Sequence, residues 1–305
     1  MPNLPLTQDV TVESAPTGRR VEALEMLRIG RTRAHRILAA AAAGNMDVQG
    51  LYLARRAERL VGAAWGQVVP GRSAFCWPAV LSPGEPEDTA TRLQLAVDDY
   101  LRSAQVALAQ AVLPVRAVAD VVRLVRAGYQ HLTDLDYLVA AHESFPRLRP
   151  QSDLQFQPFT PADETRLSQL IERTYVKSLD CTELDGMRAM HDVLAGYRET
   201  GEYRPEWWLF AQHAGRDVGC VLLADHPDHD QAELMYMGVV PEQRGHGWGG
   251  QITRYAQWLV AQAPRQRMVL AVDQNNWPAQ GVYAFAGFDH WDRRCVYVRN
   301  MQART

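Results

Sequence analysis

The apolar positions of the second half of the chain alternate between two periods, and that alternation predicts the elements. Residues 154–158 read as a short strand, and residues 162–175 as an amphipathic helix. The runs 207–212 and 218–224 flank a tight turn at Ala214-Gly215-Arg216-Asp217, the pattern of a β-hairpin. Residues 233–240 form an apolar run with few polar breaks, which suits a strand buried on both faces. Trp248, Ile252, Ala256, Leu259 and Ala263 then recur at helical spacing. Residues 268–272 give another buried strand, 278–285 a short helix and 295–298 a last strand. The resulting order, β-α-(α)-β-β-β-α-β-α-β, predicts an α/β fold with a mixed, mostly antiparallel sheet flanked by helices.

The first half repeats this layout. Ala127-Gly128-Tyr129-Gln130-His131 resembles Ala286-Gly287-Phe288-Asp289-His290 at an offset of 159, and the same offset lays Val80-Leu81 on Val239-Val240. An offset of 157 lays Arg59-Leu60-Val61-Gly62 on Arg216-Asp217-Val218-Gly219. Matches in one order along the chain predict two tandem copies of one fold. The copies are expected at residues 1–145 and 153–305, joined by a proline-containing linker at 146–152.

Composition narrows the field. At 305 residues, 47% hydrophobic and 22% charged, the chain has the make-up of a soluble globular protein. A net charge of -3 gives no electrostatic reason to expect nucleic acid or an anionic membrane as partner. The arginines at 28, 31, 33 and 36 precede an alanine run and read as a solvated helix face, since no aromatic residue interleaves with them. Four scattered cysteines suggest no disulfide framework, and with no signal-peptide pattern at the N-terminus a cytoplasmic setting is expected.

The sharpest chemical feature is the turn Val239-Val240-Pro241-Glu242-Gln243-Arg244-Gly245-His246-Gly247-Trp248-Gly249-Gly250, between a predicted buried strand and a predicted helix. Such a turn offers unpaired main-chain N–H groups and a partial positive charge, and small residues let a phosphate approach them. It is neither a Walker loop, which needs Gly-Lys-Ser/Thr, nor the dinucleotide fingerprint. A second motif follows at Asn276, Ala279, Val282, Tyr283, Gly287 and Phe288.

These two motifs resemble those of the GNAT acetyltransferase superfamily, and the tandem layout is similar to that of mycothiol synthases. Arg244-Gly245-His246-Gly247-Trp248-Gly249 fits the family's coenzyme A turn, and Asn276 to Phe288 its later tyrosine motif. The resemblance implies an N-acetyltransferase that moves an acetyl group from acetyl-CoA to a primary amine of a small molecule, by direct attack with a tyrosine general acid. It implies cofactor contacts at Val239, Val240, Arg244, Gly245, His246, Gly247, Trp248, Gly249, Asn276 and Tyr283. Tyr283 is expected to protonate the leaving thiolate, and Glu233, at the head of the strand, to serve as base. Tyr175, Asp180, Glu183 and Tyr236 are the expected acceptor-side residues. Asp185 and Cys181 lie in the same polar stretch, where a lone cysteine is most often a small apolar filler.

Two other readings stay open on the sequence: an acyl-CoA-binding sensor without transferase activity, and a transferase acting on protein N-termini or lysines. No metal is expected. The run Asp225-His226-Pro227-Asp228-His229-Asp230 has metal-capable side chains but sits in a proline-containing turn. The first copy carries Glu85, Pro86 and Asp88 where the second has Arg244, Gly245 and Gly247, so it is not expected to hold coenzyme A. A monomer or a homodimer is compatible with these features.

Overall fold

The computed structural model describes residues 9–180 and 188–302. Two compact units divide the chain: residues 1–132 with 295–305, and residues 133–294.

The first unit contains β1 (Thr11–Ser14), α1 (Arg20–Met26), α2 (Arg31–Ala42), β2 (Leu51–Arg56), β3 (Arg59–Val69) and β4 (Ser73–Leu81). These are followed by α3 (Glu87–Ser103), β5 (Leu108–Pro114) and α4 (Val118–Arg126). Its strands run in the order β1-β2-β3-β4-β5, antiparallel except for β4 against β5.

The second unit begins within β6 (Gln130–Ala141) and continues through β7 (Gln155–Pro158), α5 (Glu164–Tyr175), α6 (Met190–Arg198) and β8 (Trp208–His213). Then come β9 (Arg216–His226), β10 (Gln231–Val239), α7 (Trp248–Ala261), β11 (Arg267–Asp273), α8 (Trp277–Phe285) and β12 (Asp289–Asn300). Its sheet runs β6-β11-β10-β9-β8-β7. The element order along each half follows the hydrophobic periodicity.

The compact units are cut differently from the sequence repeats. The end of the first copy, β6, pairs along β11 from Ala141↔Arg267 to Leu135↔Asp273. The end of the chain goes to the first unit: Met301 N–H donates to the Ala107 carbonyl at 2.9 Å, and Cys295, Tyr297 and Met301 join that unit's core. Each copy's final strand thus completes the other unit.

In the second unit β9 is the central buried strand, and its period of two sorts its side chains. Val221 and Leu223 pack into the cluster under α7, with Ile252, Ala256 and Val260. Cys220 and Leu222 pack into the opposite cluster under α5, with Leu167, Leu170 and Ile171. Helices on both faces explain why this strand reads as a nearly unbroken apolar run. Each fully buried leucine or valine here contributes about 1.5–3 kcal/mol relative to exposure. These two cores clamp β10 and α7 and so fix the turn between them.

Candidate active site

The site starts from an irregularity in one strand. Leu234 of β10 sits opposite Leu223 of β9, yet Tyr236 sits opposite Leu222, so Met235 is an extra residue. Such a bulge bends and twists its strand. On its other side β10 meets β11 only over Gln231–Glu233 against Arg267–Val269. Past the bulge the two strands part, and main-chain groups of β10 that would have met β11 face a wedge instead. Leu234 to Val239 form one wall of this wedge, and Ala271 and Val272 the other. The cleft has a volume of about 480 Å³.

One end is closed by the glycine-rich turn. Gly245 and Gly247 take φ of 84° and 76°, a left-handed backbone that glycine adopts without a steric penalty. Gly247 is the N-cap of α7, and the first bond inside that helix runs from Gln251 N–H to the Gly247 carbonyl at 3.3 Å. The amides of Trp248, Gly249 and Gly250 are left without partners in the helix, as at any helix start. They point their partial positive charge toward the cleft end. The chemistry this offers is recognition of an anion such as a diphosphate.

Helix α8 packs beside the start of α7 and forms a further wall of the cleft. Asn276 caps this helix, its Oδ1 accepting from Ala279 N–H at 3.3 Å. That places Tyr283, two turns on, in the cleft wall with its ring edge against Phe288 at 5.7 Å. Burial, and less strongly the charge of Asp180, raises the Tyr283 phenol above its ordinary value. Among the described residues nothing hydrogen-bonds its hydroxyl, which is therefore available to a guest in the cleft.

Residues 170–288 match the family model described as "Acetyltransferase (GNAT) family". Over those residues the chain is similar to the GNAT acetyltransferases. A mycothiol acetyltransferase of Streptomyces bingchenggensis is 30% identical over 95 residues, a match that spans 31% of this chain and 31% of that protein. The chain therefore matches about a third of that relative's length. By fold, the whole chain is similar to a GCN5-related N-acetyltransferase from Sphaerobacter thermophilus, with a TM-score of 0.65 and 15% identity over 99% of this chain and 98% of that one. It is also similar to a tandem GNAT protein from the clavulanic acid biosynthesis pathway, with a TM-score of 0.55 and 14% identity over 97% and 99%. The architecture is that of two tandem GNAT-like domains.

Within the second unit the cleft gathers Tyr175, Asp180, Tyr236, Val239, Arg244, Gly245, Gly247, Trp248, Gly249, Asn276 and Tyr283. Two expected cofactor contacts, Val240 and His246, and the expected base, Glu233, stand apart from it. Val240 is fully buried in the core under α5, with its N–H on the Val218 carbonyl. The His246 ring folds back on its own loop, its Nδ1 at 3.2 Å from the Gln243 and Arg244 carbonyls. Glu233 precedes the bulge, on the paired stretch of β10, and is held by His226 at 2.9 Å. Glu183, Asp185 and Cys181 lie outside the described residues.

Arg244 lines the cleft, yet its guanidinium is committed elsewhere. It donates to the carbonyls of Val239 at 3.1 Å, Lys177 at 2.8 Å and Thr174 at 2.8 Å. The side chain ties the turn to the carboxyl end of α5, where carbonyls lack helical partners. Asp180 remains exposed as a residue, but the crowding of its carboxylate by protein raises its pKa. The Asp273 N–H, donating at 3.3 Å, opposes that rise, and the Asp273 charge adds to it.

Thr174 carries no motif signal and still shapes the site. Its hydroxyl donates to the Ile171 carbonyl at 2.7 Å, so it accepts from the Tyr236 hydroxyl. The Tyr236 proton is thereby spent, and burial holds its phenol well above its ordinary value. A Cβ on Gly238 would lie 2.6 Å from Thr174 Oγ1 and 2.8 Å from the Tyr236 hydroxyl, which explains a glycine inside this strand. The metal-capable run 225–230 is dispersed: Asp225 pairs with Arg265 at 3.0 Å and Arg204 at 3.2 Å, and His226 with Glu233.

The matching place in the first unit is filled by side chains. Arg123, which the offset of 159 lays on Val282, donates to the Ala79 carbonyl at 2.8 Å and to Glu87 at 2.7 Å. Glu85 stands in the Arg244 position, buried against Arg56 at 3.0 Å and bonded by Thr89. Pro86 caps α3 without offering an N–H, and Glu87 and Asp88 occupy its first turn.

Proposed function

We propose that this protein transfers an acetyl group from acetyl-CoA to the primary amine of a small molecule, using the cleft of the second unit. The observation that carries the reading is the pairing of two features across one wedge. Unpartnered main-chain amides at the start of α7 and an unbonded, protonated phenol on α8 line the same cleft. Cleft size, glycine backbone and α7 amides fit a thioester donor with a diphosphate.

In this reading the amides of residues 245–249 hold the diphosphate, and the exposed main chain of β10 pairs with the pantetheine arm. Main-chain N–H groups of β10 beyond the bulge polarise the thioester carbonyl. Tyr283 gives its proton to the departing sulfur; a phenol kept neutral by burial is suited to that task. Tyr175, Asp180 and Tyr236 face the incoming amine, and Glu233 takes up its proton through intervening water. The first copy, its gap filled by Arg123 and Glu85, does not hold the cofactor.

Calorimetric titration with acetyl-CoA tests the first half of this reading, and the absence of saturable binding would end it. Thiol release with a panel of amino acids, amino sugars, aminothiols and polyamines tests the second half. The position of Glu233, outside the cleft wall and engaged by His226, favours a second reading, an acyl-CoA-binding protein without transfer. Steady thiol release with any amine of the panel excludes it.

A further inference from the structure

Helix α8 has little hold of its own. Tyr283 is its one buried residue, Ala279 and Val282 pack only in part, and Trp277 and Phe285 are exposed. Its place is set by α7. Val282 rests on the first turn of α7, where a Cβ at Gly249 would lie 3.5 Å from its Cγ2. Eight residues on, along the same ridge of α7, the Gln257 amide donates to the Ala286 carbonyl at 2.8 Å. Tyr283 stands between these two attachments in the sequence of α8. We infer that Gln257 is the positioning residue for the Tyr283 hydroxyl, fixing the carboxyl end of α8 so that the phenol is held in the cleft wall. The inference rests on the reading of Tyr283 as proton donor and adds to it the residue that aims it.

Three observations carry it. Gln257 is fully buried in α7, in a helix whose neighbouring inward residues are Ile252, Ala256 and Val260. Packing alone asks for no amide there, since a buried polar group carries a desolvation penalty. Its Oε1 has no partner among the described residues, a penalty that an apolar side chain of the same length would avoid. The carbonyl it meets is one that the helix end leaves over. Gly287, at φ of 81°, returns its N–H to the Ala284 carbonyl at 3.1 Å, and Phe288 returns its own to Tyr283 at 3.0 Å. The Ala286 carbonyl, in a residue 1% exposed, points back to α7 and is met by Gln257.

One helix therefore carries both parts of the site. The first turn of α7 presents the main-chain amides, and its third turn sets the helix that bears the phenol. A shift of α8 by a fraction of an ångström would leave the amides where they are and move the hydroxyl away from the departing sulfur.

The test is a double-mutant cycle with acetyl-CoA and an amine accepted in the thiol-release panel. Gln257→Met keeps length and loses the donor. It should lower kcat about 10- to 100-fold, the loss that a misplacement of about 1 Å brings. Acetyl-CoA affinity by calorimetry should stay within about twofold. The thermal midpoint should stay within about 4 °C, because the orphaned Ala286 carbonyl is offset by removal of the unpaired Oε1. In the Tyr283→Phe background the same substitution should change kcat by no more than about twofold, since there is no hydroxyl left to aim. Gln257→Leu should repeat the pattern, and it replaces the methionine variant should that one fail to fold. A native rate in both variants overturns the role, and so do equal fold-losses in the two backgrounds or a midpoint that falls in step with kcat. In each of those outcomes the proton-donor reading survives. Native thiol release that is indifferent to Tyr283→Phe, or release with no amine of the panel, overturns both.

Discussion

The Arg244 guanidinium donates to the Thr174 carbonyl at 2.8 Å, across 70 residues of sequence, and so fastens the anion-binding turn to the end of α5. A motif arginine that sequence resemblance places on the cofactor acts here through its neighbours. Substitution by lysine keeps the charge and loses the planar fork that reaches three carbonyls. Arg244→Lys is expected to weaken acetyl-CoA by about tenfold, roughly 1.4 kcal/mol. Its dependence on ionic strength should match that of the native protein, because no phosphate contact has been removed. A flattened salt dependence in the variant would show the arginine on the phosphate instead.

Ala214 and Gly215 form the two-residue turn between β8 and β9, with φ of 49° and 73°. Two successive left-handed residues define a turn that favours Asn-Gly, and alanine there carries a steric cost. Ala214→Asn should stabilise the protein by about 0.5–1 kcal/mol, while Gly215→Ala should destabilise it by about 1 kcal/mol. Nothing lies within 4 Å of a Cβ at Gly215, so that loss would be conformational alone. Denaturant midpoints of the two variants check this, and an unchanged midpoint in Gly215→Ala refutes the turn assignment.

Most of the fold was legible because it is local. The apolar run at 233–240 that becomes β10, the helical spacing from Trp248 and the turn at Ala214-Gly215 each follow from short-range periodicity. What escaped was non-local. No local signal says that β6 pairs with β11, since the choice of neighbour for a final strand depends on which sheet edge is free. The bulge at Met235 leaves no mark in the sequence, yet it separates Glu233 from Tyr236 and opens the wedge. Arg123 could have been noticed: the repeat offset lays a long cation on Val282, in the wall of the cleft.

Burial also sets an alkaline limit on stability. The Cys76 and Cys220 thiols are pushed up to about 12 from an ordinary value of 9.0, with burial as the main cause. Tyr129, Tyr197 and Tyr236 are raised for the same reason. Each of these groups holds its proton more tightly folded than unfolded. Their contribution is complete below the unfolded values and is lost as pH rises through the folded ones. Thermal midpoints should therefore be flat near pH 8 and fall steadily from about pH 9 upward. A midpoint that holds constant to about pH 11 would contradict the buried placement of these groups.

Tyr283 is the residue on which the chemistry of the cleft turns. Its hydroxyl has no partner among the described residues, so removing it leaves no orphaned group behind, and its ring still packs against Phe288 in the phenylalanine variant. Tyr283→Phe should therefore keep its stability and bind acetyl-CoA within about twofold of the native protein. Proton donation to a leaving group is worth about 10²–10⁴ in rate, and turnover with an accepted amine should fall by that order. Because burial raises the phenol, the native protein should show no loss of the acid below about pH 10. A variant that turns over at the native rate removes Tyr283 from the acid role. One that loses acetyl-CoA binding would instead assign the hydroxyl to holding the donor.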